Sequence, residues 1–160
     1  MTGWSRKGKF GGLGDTGAVP AMWTCPRCGR RFGRARQSHE CAPAMSIEEY
    51  FSTGPPHERP VFEAVMAHLD TLGPVHAEPV SVGIFLKHGL SGRSVAELRP
   101  MQRWVALSFS LPRRVSHRLI VRKPLADRGR YWHVANIASP DDIDDELRTW
   151  LTEAYLNAAN

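Results

Sequence analysis

The chain has 160 residues, 42% of them hydrophobic and 23% charged, which fits one globular domain with a modest core and excludes both a fibrous chain and a second large domain. Twenty-one Lys and Arg against 16 Asp and Glu leave a net charge of +5, which permits an anionic partner without naming one.

Residues 1–21 have basic Arg6, Lys7 and Lys9 ahead of an Ala-Val-Pro-Ala end, in outline like a secretory signal. The apolar middle of such a signal is missing, because Gly11, Gly12, Gly14, Asp15 and Gly17 interrupt it. With six of the 14 glycines and no hydrophobic periodicity, this stretch is expected to be a disordered tail. Met22, directly before the first motif, is the expected translation start, with residues 1–21 an upstream extension. Nowhere does an uncharged apolar run approach the roughly 18 residues a spanning helix needs, so a cytoplasmic protein with no membrane partner is expected.

All three cysteines fall in residues 22–45, where a disulfide framework is a poor fit and a metal a good one. Cys25-Pro26-Arg27-Cys28-Gly29 places two thiolates three residues apart, with Gly29 permitting the tight backbone; His39 and Cys41 add two donors. A Cys3His set is closed, so one structural zinc per chain is expected, its binding energy replacing a missing core around Phe32. The alternative is three reduced cysteines with an incidental histidine. The His-x-Cys spacing puts both donors on one side only of an extended chain, which argues against a recognition helix in a major groove. Arg27, Arg30, Arg31, Arg34 and Arg36 crowd this knuckle. They form either a set of phosphate contacts for DNA or RNA or a solvated basic face drawn to the thiolate cluster.

Residues 46–160 read as an α+β domain tethered to that knuckle. Ser46-Ile47-Glu48-Glu49 opens a short helix with a capping box, and Val61, Phe62, Val65, Met66 and Leu69 make the stripe of a second, ended near Gly73-Pro74. Five strands are predicted, at Val82 to Lys87, Ser94 to Arg99, Arg103 to Leu111, Arg118 to Lys123 and Tyr131 to Ala138. Short turns such as Asp127-Arg128-Gly129 suit an antiparallel meander. Ser139-Pro140-Asp141-Asp142 supplies an N-cap, a proline at the first helical position and first-turn acids for a last helix, whose stripe is Ile143, Leu147, Trp150, Leu151 and Ala154. The helices are expected on one face of the sheet.

Residues 1–45 carry +6 and residues 46–160 carry −1. Lys87 to Arg130 nevertheless holds 11 basic residues against Glu97 and Asp127 alone, so a basic sheet lies between acidic helices. Lys87, Arg99, Arg103, Trp104, Arg122, Tyr131 and His133 could share a concave face that receives an anionic small molecule or stacks bases. They could equally be packing aromatics and solvent-facing strand positions.

Met22 through Phe32, Gln37-Ser38-His39-Glu40-Cys41, and Asp142-Ile143 through Trp150 to Tyr155 resemble bacterial proteins of the domain of unknown function 5655 (DUF5655) family. The resemblance covers Met22 to about Leu156. It implies a small zinc knuckle joined to an α+β domain of roughly a hundred residues, often starting at the methionine equivalent to Met22, and it carries no established activity.

No catalytic constellation emerges. Gly12-Leu13-Gly14-Asp15-Thr16-Gly17 matches the dinucleotide fingerprint, but no strand precedes it and a knuckle follows. Gly89-Leu90-Ser91-Gly92 reads as a hairpin turn, and His76, His88, His117 and His133 are scattered as surface or hydrogen-bonded residues. The expectation is a non-enzymatic zinc-containing module that binds nucleic-acid phosphates through the knuckle arginines. The rival is a small-ligand or enzymatic domain using the sheet. Oligomeric state is open.

Overall fold

The computed structural model describes residues 22–160; the expected disordered tail, the Met22 start and the Gly12 to Gly17 motif concern residues 1–21, outside the described residues. The chain opens with a two-stranded hairpin, β1 (Trp23–Thr24) and β2 (Arg31–Phe32). Helices α1 (Ile47–Phe51) and α2 (Glu58–Asp70) follow. Then come β3 (Val75–Val80), β4 (Gly83–His88), β5 (Ser94–Pro100), β6 (Val105–Leu111), β7 (Leu125–Asp127) and β8 (Arg130–Ile137), and finally a 3-10 turn at Pro140–Asp142 and α3 (Asp145–Ala158). The larger sheet is antiparallel throughout, in the order β3-β4-β5-β6-β8-β7, so the fold is α+β.

The helices form where caps and stripes direct them. The Ser46 side chain accepts the Glu49 N–H at 3.0 Å, opening α1. Pro60 sits in the first turn of α2, where its missing N–H costs nothing. The last helix starts later than its Ser-Pro signal predicts: Ser139 caps only the 3-10 turn, and Asp144 caps α3 by accepting the Leu147 N–H at 2.9 Å. Val61, Val65 and Leu69 of α2, with Leu147, Leu151 and Ala154 of α3, cover one face of the sheet. That face is made of Ile84, Leu86, Leu98, Val105, Leu107, Phe109, Leu111, Ala135 and Ile137. Each Val, Leu, Ile or Phe among them contributes roughly 1.5–3 kcal/mol on leaving water.

Besides the short strands β1, β2 and β7, which the residue pattern does not signal, two strand assignments change. Val75–Val80 is a strand that the prolines hide from a pattern reading. Pro79 is tolerated because β3 is an edge strand, and the outward Pro79 carbonyl accepts the Met45 N–H at 2.8 Å instead. Arg118 to Lys123 is no strand, since β6 and β7 already pair with β8. One bond, Asn136 N–H to the Leu119 carbonyl at 3.0 Å, ties this segment down while Leu119 and Ile120 lean on the core. The predicted Asp127-Arg128-Gly129 turn is a two-residue hairpin loop, with Arg128 and Gly129 at φ +52° and +78°.

Candidate metal centre and the groove beside it

The β1–β2 hairpin exists to converge ligands. Its turn closes through the Gly29 N–H to the Cys25 carbonyl at 2.8 Å and the Cys25 N–H to the Arg30 carbonyl at 2.9 Å, with Gly29 at φ +76°. This holds Cys25 and Cys28 side by side. The chain then runs through extended, irregular backbone, on which His39 and Cys41 return to the same point. The four donor atoms lie within 4.8 Å of one another. Cys25 Sγ to Cys41 Sγ is 3.8 Å and Cys28 Sγ to His39 Nε2 is 3.4 Å. A tetrahedral ion with bonds of about 2.3 Å to sulfur and 2.0–2.1 Å to nitrogen has edges of about 3.8 Å and about 3.6 Å between those atom types, so the set fits such an ion. His39 Nδ1 donates to the Gln37 carbonyl at 2.6 Å, which leaves the Nε2 lone pair free to ligate. Backbone N–H groups of Cys28 and then Arg27, directed at the Cys25 sulfur against the effect of burial, lower that thiol to about 6, so a thiolate is at hand near neutral pH. These four residues can hold a metal ion.

Phe32 is buried, with its ring 4.2 Å from the His39 ring and 5.8 Å from Trp23, so the unit has a two-aromatic core and not Phe32 alone. It is docked on the sheet, not merely tethered to it. Arg30 Nε meets Glu78 Oε1 at 3.1 Å, and Lys87 Nζ meets the same oxygen at 2.7 Å. Glu78 Oε2 accepts the Arg31 N–H at 2.8 Å and bonds His76 Nε2 at 3.0 Å, while Lys87 also donates to the Arg31 carbonyl. Burial would raise the Glu78 carboxyl, but hydrogen bonds from His76, the Arg31 N–H and Lys87 outweigh it and hold Glu78 below the ordinary carboxylate range. The Lys87 ammonium lies 3.9 Å from the Phe32 ring centroid. On the other flank, a Cβ on Gly92 would come within 2.9 Å of Met22 Cγ and 3.0 Å of the Phe32 backbone, so the β4–β5 hairpin closes on the knuckle only with glycine there.

The predicted phosphate contacts divide. Arg27, Arg31, Arg34 and Arg36 are exposed, and no carboxylate pairs with them among the described residues. Arg30 is not available: it is 6% exposed and belongs to the Glu78 pair.

The expected sheet face also divides, because side chains alternate along a strand. Arg99 lies on the face turned away from the helices, exposed and 3.8 Å from Glu97, and Lys87 lies there too but is locked under the knuckle. Tyr131 and His133 stand on the opposite, helix-covered side, in register with Leu111 and Phe109. His133 is fully buried and stacked on Phe109, and its Nε2 accepts the Val115 N–H at 3.0 Å. Tyr131 is covered by Arg114 at 4.8 Å. Arg103 and Trp104 sit in the turn before β6, off the face, with the Trp104 carbonyl accepting the Met101 N–H. The other histidines are engaged separately: His76 with Glu78, His88 accepting the Leu90 and Ser91 N–H groups at 3.2 Å, and His117 with Asp144 at 2.8 Å.

What the open face holds instead is Phe85, Glu97, Ser108, Trp132 and Val134. A cavity of about 390 Å³ lies between knuckle and sheet, lined among others by Phe32, His39, Val82, Phe85, Glu97, Arg99 and Trp132. A second of about 440 Å³ shares Glu97, Arg99 and Trp132 with it and adds Met101, Arg122 and Val134. Burial raises the Glu97 carboxyl, and Arg99 only partly offsets that. Trp132 was readable in principle, being flanked by the two residues that face the core.

The profile of the domain of unknown function DUF5655 matches residues 47–158, the whole of the α+β part without the knuckle. No curated protein and no solved structure matches the chain. No helix among the described residues is long and apolar enough to cross a membrane.

Proposed function

Because the chain belongs to the DUF5655 family, whose description assigns no activity, we propose its function from the arrangement of its own residues: a non-enzymatic, cytoplasmic module that binds nucleic-acid phosphates. A zinc ion held by Cys25, Cys28, His39 and Cys41 fixes the knuckle, and its closed ligand set leaves no position for a reacting water. The observation that carries the reading is that Arg27, Arg31, Arg34 and Arg36 are all exposed without a carboxylate partner among the described residues, on a frame pinned by the Arg30–Glu78 pair. Arginine presents a planar fork suited to phosphate oxygens, and a pinned frame lowers the entropy lost on contact.

The test is fluorescence anisotropy with DNA and RNA oligonucleotides, single-stranded and duplex, over a salt series. The wild type is expected to bind with a steep salt dependence. Replacing the four exposed arginines with alanine should lower the slope of log K against log salt by up to about 3 for single strands and slightly more for duplex. An unchanged slope, or no binding by the folded wild type, overturns the reading.

A further inference from the structure

We infer that the open face of the sheet is a trough for unpaired nucleotides, in which Trp132 is the stacking surface for a base and Arg99 and Arg122 hold the flanking phosphates. This rests on the phosphate-binding reading above and extends it from the knuckle onto the sheet.

Four observations converge. First, the two cavities meet at Trp132, Glu97 and Arg99, so they form one depression running from the knuckle across β4, β5, β6 and β8. Three strand spacings make about 14 Å, which holds a run of roughly two to four nucleotides at stacked spacing. Second, apolar side chains lie open among the polar ones. Trp132 and Val134 are half-buried, and at the rim Val82 is 52% and Leu125 70% exposed, with Leu125 paired directly to Trp132. An indole face beside apolar rims gains most from a flat aromatic ligand.

Third, the charges sit where a backbone would pass. Arg99 keeps its guanidinium half-exposed, its only described ion pair being the long one to Glu97, and Arg122 is exposed at the far end of the trough. At the near end the knuckle lines the trough with Gln37 and Ser38, polar side chains able to bond a passing phosphate or base. Fourth, Glu97 and Ser108, in register across β5 and β6, put a carboxylate and a hydroxyl on the floor. These can accept from the exocyclic amine of a base laid flat on the floor, and a base whose Watson–Crick edge is free can offer both hydrogens of that amine. Base–aromatic stacking likewise requires an unstacked base, so the trough should read single strands and ignore duplex.

The experiment uses the full chain, with Trp132→Leu and the four-arginine variant side by side, each confirmed folded by urea denaturation. The probes are a mixed-sequence single strand and its duplex. Trp132→Leu should weaken the single strand roughly fivefold or more and leave the duplex unchanged, whereas the arginine variant should weaken both. Trp132→Phe should restore most of the single-strand affinity. A single-strand affinity unchanged in Trp132→Leu overturns the trough while leaving the phosphate reading intact. Loss in Trp132→Leu with none in the arginine variant does the reverse. Competition by polyglutamate as effective as by the oligonucleotide overturns the trough, because it would show a surface selective only for polyanions.

Discussion

Arg30 Nε and Glu78 Oε1 lie 3.1 Å apart with side chains 5% and 1% exposed, and this pair joins the metal knuckle to the edge strand of the sheet across 48 positions of sequence. Among the described residues Glu78 is the one carboxylate paired with the two buried cations, so its removal leaves both Arg30 and Lys87 uncompensated. Glu78→Ala should therefore cost about 3–5 kcal/mol in urea denaturation. A loss below about 1 kcal/mol would place the contact among the weak surface pairs and make the knuckle an independent appendage.

The same carboxylate sets an acid limit. Its folded pKa lies below the unfolded value of about 4.3, so the stability it contributes is fully present above that pH and is lost as pH falls toward the folded value. Unfolding midpoints should drop steeply below about pH 4.3 in the wild type, and Glu78→Gln should flatten that drop. Equal steepness in both proteins would move the acid sensitivity elsewhere.

Metal removal tests the knuckle directly. Purified protein should carry about one zinc per chain by elemental analysis, and Cys28→Ser should fall well short of it. Chelation should make the chain near Arg34 and Arg36 sensitive to trypsin while the sheet, with its separate core, stays protected. Full protection of that segment after metal loss would mean that Glu78 and Lys87 alone hold it.

Much of this was legible in residue order. The Cys-x-x-Cys and His-x-Cys spacings located four donors that do converge, and the strand predicted at Arg103 to Leu111 is β6, Val105–Leu111. What failed did so for identifiable reasons. Pro79 reads as a strand breaker until the topology makes its strand an edge, and Arg118 to Lys123 reads as a strand until β8 proves to be already paired. The basic residues were countable but not their partners: nothing in the sequence links Arg30 to Glu78, so a structural cation looked like a phosphate contact. A reading of β8 shifted by one residue put Tyr131 and His133 on the ligand face and left Trp132 out.

His133 is the clearest case of a residue whose chemistry is decided by its side of the sheet. It is fully buried, its ring stacks on Phe109 at 5.4 Å between centroids, and its Nε2 accepts the Val115 N–H, which anchors the long connection between β6 and β7. Accepting that bond requires the neutral ring, and burial accordingly lowers its pKa below the ordinary histidine value. The sign follows: the folded state resists the proton that the unfolded state takes up near pH 6.5, so the stability from His133 is complete above about pH 6.5 and is lost as pH falls below it. His133→Phe keeps the stacking volume, removes the acceptor and removes the titration. It should cost about 0.5–1.5 kcal/mol at pH 8, and that deficit should shrink or vanish at pH 5, where the wild type carries the burden of a buried histidine being driven to protonate. Urea denaturation of both proteins at the two pH values measures it. A deficit that stays constant would mean that His133 does not titrate differently in the folded and unfolded chains, and that its place against Val115 is a matter of shape alone.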